Sequence, residues 1–190
     1  MKIITAPEEL VPTSEDCIKV FLAGGITGCP DWQKKVIGVI NDYDKSHPKA
    51  LDNLIIYNPR RENFPINDPS ATEEQIRWEF NALQDCDIFS IYFCDGDSDQ
   101  PICMYELGRN LFRMMDRFPR EWYNRVIISS STNYKRFEDV KIQTKLATFG
   151  AKKVVENPSP IAHALDIIMA YKELVRCQSD ESSQDKMKAI

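Results

Sequence analysis

Short apolar, β-branched runs alternate with segments of helical periodicity along most of this chain, and that alternation restricts its fold more than any other feature. The run Ile18-Lys19-Val20-Phe21-Leu22-Ala23 stops at Gly24-Gly25, as a buried strand does on entering a tight turn. Residues 31–46 follow with Trp32, Val36, Val39, Ile40 and Tyr43 at helical spacing, Asp31 as N-cap after Pro30, and Pro48 as terminator. Leu54-Ile55-Ile56-Tyr57 reads as the second strand, followed by a loop over residues 58–65. A helix is expected from about Thr72 to Asp85, with Thr72 and Gln75 spaced as a capping box and Ile76, Phe80 and Leu83 as its buried stripe. Residues 87–93 form the third strand and 94–100 a polar loop, and a helix opening near Pro101 carries Cys103, Leu107, Leu111 and Met114 on one face. A fourth strand at 125–129, a helix at 137–148, a short fifth strand at 152–155 and a helix at 159–175 complete the pattern.

Strands that alternate with helices pair in parallel through right-handed crossovers, so the expected fold is α/β: a five-stranded parallel sheet of flavodoxin-like order with helices on both faces. At 190 residues the chain suits one domain, placed at 1–176, with residues 1–16 loose and a polar tail over 177–190 disordered. No apolar run approaches the roughly 18 residues that a membrane span needs, and Glu8 and Glu9 interrupt the N-terminal segment before it can act as a secretion signal. A cytoplasmic protein is expected.

Composition narrows the chemistry. The six cysteines contain no CxxC pair and lie mostly in apolar segments, which reads as buried free thiols. The two histidines, His47 and His163, have no metal-ligand spacing. Asp95, Asp97 and Asp99 begin like a calcium loop, but the sixth position that requires glycine is Gln100. No metal and no other cofactor is expected. A formal charge of −5 argues against a nucleic-acid polymer as partner, because such binding rests on Lys and Arg neutralising phosphates.

In an open parallel sheet, ligands bind beyond the carboxyl ends of the strands where the strand order reverses. That rule selects the loops after the first three strands. In the first, Gly24-Gly25-Ile26-Thr27-Gly28 lets backbone amides approach a sugar or phosphate, or is a tight turn with no ligand. In the second, Arg60 and Arg61 beside Pro59 are placed to clamp a carboxylate, phosphate or base edge, or else to bridge to Glu62 or Asp68 on the surface. Glu106 falls in the second turn of the helix that follows the third loop, beside the face of Cys103 and Leu107 and near the positive end of the helix dipole. Glu79 borders the apolar stripe of the preceding helix. Two acids approaching one crevice are the equipment of glycosidic cleavage, one attacking or stabilising an oxocarbenium-like sugar while the other moves a proton. The plainer reading of each is an exposed helix glutamate.

Taken in order, Val20-Phe21-Leu22-Ala23-Gly24-Gly25-Ile26, Asn58-Pro59-Arg60-Arg61, Trp78-Glu79 with Asp87 beyond it, and Pro101-Ile102 leading to Glu106-Leu107-Gly108 resemble the nucleoside 2-deoxyribosyltransferase-like family. The likeness covers roughly residues 18–140. It implies a flavodoxin-like domain that forms homo-oligomers and a two-step exchange in which a glutamate attacks the anomeric carbon of a 2'-deoxynucleoside and a free base then takes the sugar. Glu106 matches that nucleophile. Glu79 stands where better-known members have an aspartate that handles the leaving base, Phe21 where they often have a tyrosine, and Asp99 or Gln100 where they carry an acid that holds the base.

With Phe21, Gly24, Gly25, Thr27, Arg60, Arg61, Asp99 and Gln100 as expected substrate contacts, the reading ranked first is base exchange on a nucleoside. The second is hydrolysis of a nucleoside 5'-monophosphate, as in some relatives, with Thr27, Arg60, Ser129, Ser130 and Ser131 as possible counterparts of their phosphate contacts. The third is a non-catalytic protein that binds a nucleotide derivative. A flavin mononucleotide protein ranks below these, because the first loop lacks a Ser/Thr-rich phosphate cradle.

Overall fold

The computed structural model describes residues 1–10, 16–65 and 67–188, with the backbone alone from residue 180. One parallel sheet contains β1 (Lys2–Thr5), β2 (Ile18–Gly24), β3 (Leu54–Asn58), β4 (Ile88–Phe93), β5 (Val126–Ser130) and β6 (Val155–Glu156) in the order β1-β3-β2-β4-β5-β6. Removing the edge strand β1 leaves the flavodoxin-like order expected from the alternation. The sheet therefore has six strands rather than five. The added strand lies within the segment expected to be loose: Lys2 to Thr5 pair in register with Ile55 to Asn58, and Ile4 is fully buried. An edge strand buries little and alternates weakly, so four residues gave too short a periodic signal. Residues 11–15 of that segment lie outside the described residues.

Both faces of the sheet are covered because both sides of its central strands are apolar. Ile18, Val20 and Leu22 of β2 and Leu54 and Ile56 of β3 point to one side, where Trp32, Val36 and Ile40 of α1 (Trp32–Ser46) and Ala164, Ile167, Ile168 and Tyr171 of α6 (Pro160–Lys188) cover them. Phe21, Ala23, Ile55, Tyr57, Phe89, Ile91 and Phe93 point to the other. There they meet α2 (Pro69–Asp85), α3 (Pro101–Arg117) and α5 (Phe137–Ala147); the short α4 (Trp122–Arg125) leads into β5.

Two helix expectations change. In α2, Asp68 rather than Thr72 is the N-cap, accepting from Ser70 N at 2.9 Å with Pro69 in the first turn. The buried face of α2 is Ala71, Trp78, Ala82 and Leu83, and the expected stripe members Ile76 and Phe80 are exposed. The sequence carries two apolar stripes on this helix, and Trp78 settles the rotation by packing its ring against Phe21 and Tyr57 and donating from Nε1 to Glu8 O at 2.7 Å. The last helix, expected to stop at about 175, continues to Lys188 where a disordered tail was expected over 177–190. No proline or glycine follows Pro160 to break it, so the low apolar content bears on burial rather than on backbone. Among the described residues no helix is long and apolar enough to cross a membrane.

Candidate active site

The strand order reverses between β3, β2 and β4, and the loops after β2 and β4 meet there at their carboxyl ends. A cavity of about 240 Å³ opens at that point. Its walls are Phe21 and the Gly24–Gly25–Ile26–Thr27 turn on one side and Ser98, Gln100 and the first turns of α3 on the other, closed by Pro59 and Glu79.

Both glycines are required by close approach. Gly24 has φ +147°, and a Cβ there would meet Trp32 Cζ2 at 2.6 Å and the backbone oxygen of Tyr92 closer still. At Gly25 a Cβ would lie 2.7 Å from Gln100 Oε1 and closer still to the Cys29 sulfur, while its own carbonyl accepts from Trp32 Nε1 at 3.1 Å. Gly25→Ala is expected to fold but to push the Gln100 amide into the cavity. Overpacking should cost about 1–3 kcal/mol of stability, measurable as a lower midpoint in urea unfolding.

Gln100 itself is held in an unusual state. It sits at the N-cap of α3 with φ 46°, a left-handed conformation that non-glycine residues seldom adopt. Its Nε2 donates to Cys94 O at 2.8 Å, which turns the amide oxygen toward Gly25, where it is buried with no hydrogen-bond partner. The helix it starts carries Glu106 at 9% exposure in its second turn, beside Cys103 and Leu107 on the buried face.

The Glu106 carboxyl is pushed up to about 8, mainly by burial, then by the neighbouring charge of Glu79, with Arg109 opposing. Burial also raises Glu79, against the hydrogen bond from Gln75 and the charge of Arg61. Gln75 Nε2 donates to Glu79 Oε1 at 2.8 Å and to Pro59 O at 2.7 Å. Two carboxyls close enough to oppose each other's ionisation therefore share one cavity. Such a pair holds one proton over a wide pH range and titrates as a unit.

The other expected contacts divide into two groups. Phe21, Gly24, Gly25, Thr27 and Gln100 line the cavity with the two acids. Arg60 does not: it donates to Cys29 O at 3.1 Å, Pro30 O at 2.9 Å and Gln33 Oε1 at 3.2 Å, tying the loop after β3 to the start of α1. Arg61 pairs with Glu74 at 2.8 Å and covers the Phe64 ring. Asp99 points outward to Lys135 at 3.1 Å. Ser129 is bonded to His163, and Ser130 donates to Ser131 O. Sequence reasoning missed Ser98, which lies in a loop it had selected, and Gln75, which it had assigned to a cap. The four-residue spacing of Gln75 and Glu79 on one helix was the available signal. Among the described residues no group of three or more His, Cys, Asp or Glu side chains could hold a metal ion.

An open parallel sheet of flavodoxin-like class, with a cavity, a glycine turn and two acids at its switch point, defines a doubly wound α/β protein. The family model described as nucleoside 2-deoxyribosyltransferase like matches residues 17–114, half of the chain, including every strand and turn that builds the cavity. The chain belongs to that family. No curated protein matches it.

Proposed function

We propose that this protein cleaves the N-glycosidic bond of a 2'-deoxynucleoside and transfers the sugar to a second base. The observation that carries this reading is the acid pair, Glu79 and Glu106, facing one cavity of the size of a sugar with part of a base. In the empty site the shared proton rests on Glu106. When substrate enters, that proton passes to Glu79, and the freed Glu106 carboxylate attacks the anomeric carbon. The bond from carbon to base nitrogen breaks as the bond to the Glu106 oxygen forms, and Glu79 delivers the proton to the departing base. An incoming base then attacks the same carbon, Glu79 takes up its proton, and Glu106 leaves.

The cavity favours a nucleoside over its 5'-monophosphate. Among the described lining residues there is no Lys or Arg, and two carboxyls are present. Arg60 is committed to backbone carbonyls and Ser129 to His163. A dianionic phosphate would meet acids without a counter-charge. The oligomer implied by the family likeness has a suitable surface. Ile76 and Phe80 of α2 and Ile102, Tyr105 and Phe112 of α3 are exposed, and Ile102 also lines the cavity.

Incubation with a deoxynucleoside and a different free base, followed by chromatography, should yield the new nucleoside. Free base alone would mean hydrolysis, faster turnover of the 5'-monophosphate would favour the phosphate-bearing substrate, and no product across a broad panel would leave binding as the function.

A further inference from the structure

Glu79 is tethered from behind. Gln75, one turn earlier on α2, uses its single amide nitrogen twice, donating to Glu79 Oε1 at 2.8 Å and to Pro59 O at 2.7 Å. Pro59 and Glu79 both line the cavity and Gln75 does not, so this side chain joins two separate pieces of the wall from outside. Arg61 stands beside it with only 9% of its side chain exposed, paired to Glu74 at 2.8 Å. Two buried polar atoms in this group have no hydrogen-bond partner, Gln75 Oε1 and Arg61 Nε. Native interiors seldom leave such atoms unpaired, and a polar cluster kept despite that cost is more characteristic of a site than of a scaffold.

The sequence suggested Arg61 as a clamp on substrate. Its place behind the acid suggests another task. We propose that Gln75, assisted by the charge of Arg61, is a positioning residue that pins the Glu79 carboxylate to the loop after β3 and keeps it ionised until the proton from Glu106 arrives. The inference rests on the proposed role of Glu79 as proton carrier. The groups that face Glu79 are Arg61 from the loop and Glu106 and Cys103 from α3, with Arg109 acting on it through Glu106. Of these, an ionised Glu106 opposes ionisation of Glu79 and Arg61 favours it, while burial raises the Cys103 thiol and keeps it neutral. A hydrogen bond donated to the charged form of a carboxyl stabilises that form, so losing the Gln75 amide moves the proton balance of the pair toward Glu79.

The test replaces Gln75 by methionine, which keeps the volume and removes both hydrogen bonds, in the full chain labelled with ¹³C at the glutamate carboxyls. The Glu79 resonance, assigned by its loss in Glu79→Gln, should titrate at higher pH than in the parent. In the exchange assay kcat should fall on the order of tenfold to a hundredfold with KM little changed, and the pH profile should be displaced. If Gln75→Met does not fold, Gln75→Glu, which sets a second negative charge beside Glu79, should raise the same titration. A Glu79 titration that stays in place, with only a lower melting temperature, would assign Gln75 to structure and overturn the proposal. Because the titration needs no substrate, it decides the point even if the parent shows no turnover, which would instead count against the proposed function.

Discussion

Glu106→Gln is expected to lower base exchange by roughly three orders of magnitude or more, while making the folded protein more stable above neutral pH. The first effect follows because an amide cannot form the glycosyl ester or give its proton to Glu79. The second follows from proton linkage. A glutamate unfolds to an ordinary value of 4.5, but in the folded chain Glu106 holds its proton up to about 8. Between those two values the unfolded chain has lost a proton that the folded chain keeps, so rising pH favours unfolding across that window and levels off beyond it. At pH 7 the cost is on the order of 3 kcal/mol, and it vanishes near pH 4. Thermal melts of parent and variant should therefore coincide in acid and separate toward pH 8. The parent's kcat/KM should be bell-shaped in pH, rising as the pair loses its first proton and falling toward and above pH 8 as it loses the second, which the departing base needs.

His163→Ala should cost about 3–5 kcal/mol, with no contact to the site. His163 is fully buried, with Nε2 2.8 Å from Ser90 Oγ and Nδ1 2.8 Å from Ser129 Oγ, so one ring joins β4 and β5 to α6. Removing it leaves a cavity and two buried hydroxyls without their partner. The ring also packs edge-on against Trp32, whose indole nitrogen holds Gly25 O, and so supports the glycine turn from beneath. Burial drives the His163 value down to about 3. The unfolded chain binds a proton below about 6.5 that the folded chain refuses, so His163 destabilises the parent as pH falls from 6.5 toward 3, by on the order of 3 kcal/mol at pH 4. Urea unfolding at pH 7 and pH 4 should show a steeper acid loss in the parent than in the variant.

The layered fold was legible because β2, β3, β4 and β5 are short, mainly apolar runs and α1 and α3 each bury one stripe. What was not legible depended on tertiary choice. Lys2–Thr5 is a strand because β3 offers an edge, and α2 rotates to bury Trp78 in preference to Ile76 and Phe80. At the site, the topological rule located the turn and the helix start, and Glu106 and Glu79 do share a cavity. The sequence could not tell that Arg60 is consumed by the carbonyls of Cys29 and Pro30, since backbone acceptors leave no trace in side-chain identity. Nor could it orient the Gln100 amide, because both of its groups can bond and only the position of Cys94 O decides which faces Gly25.

The most direct test of the account is to mix the protein with a deoxynucleoside, quench in acid, and map the peptides by mass spectrometry. A deoxyribosyl ester on the peptide containing Glu106, absent from Glu106→Gln and discharged when a free base is added before the quench, is the predicted result. An adduct on another residue, or base exchange that persists in Glu106→Gln, would contradict it.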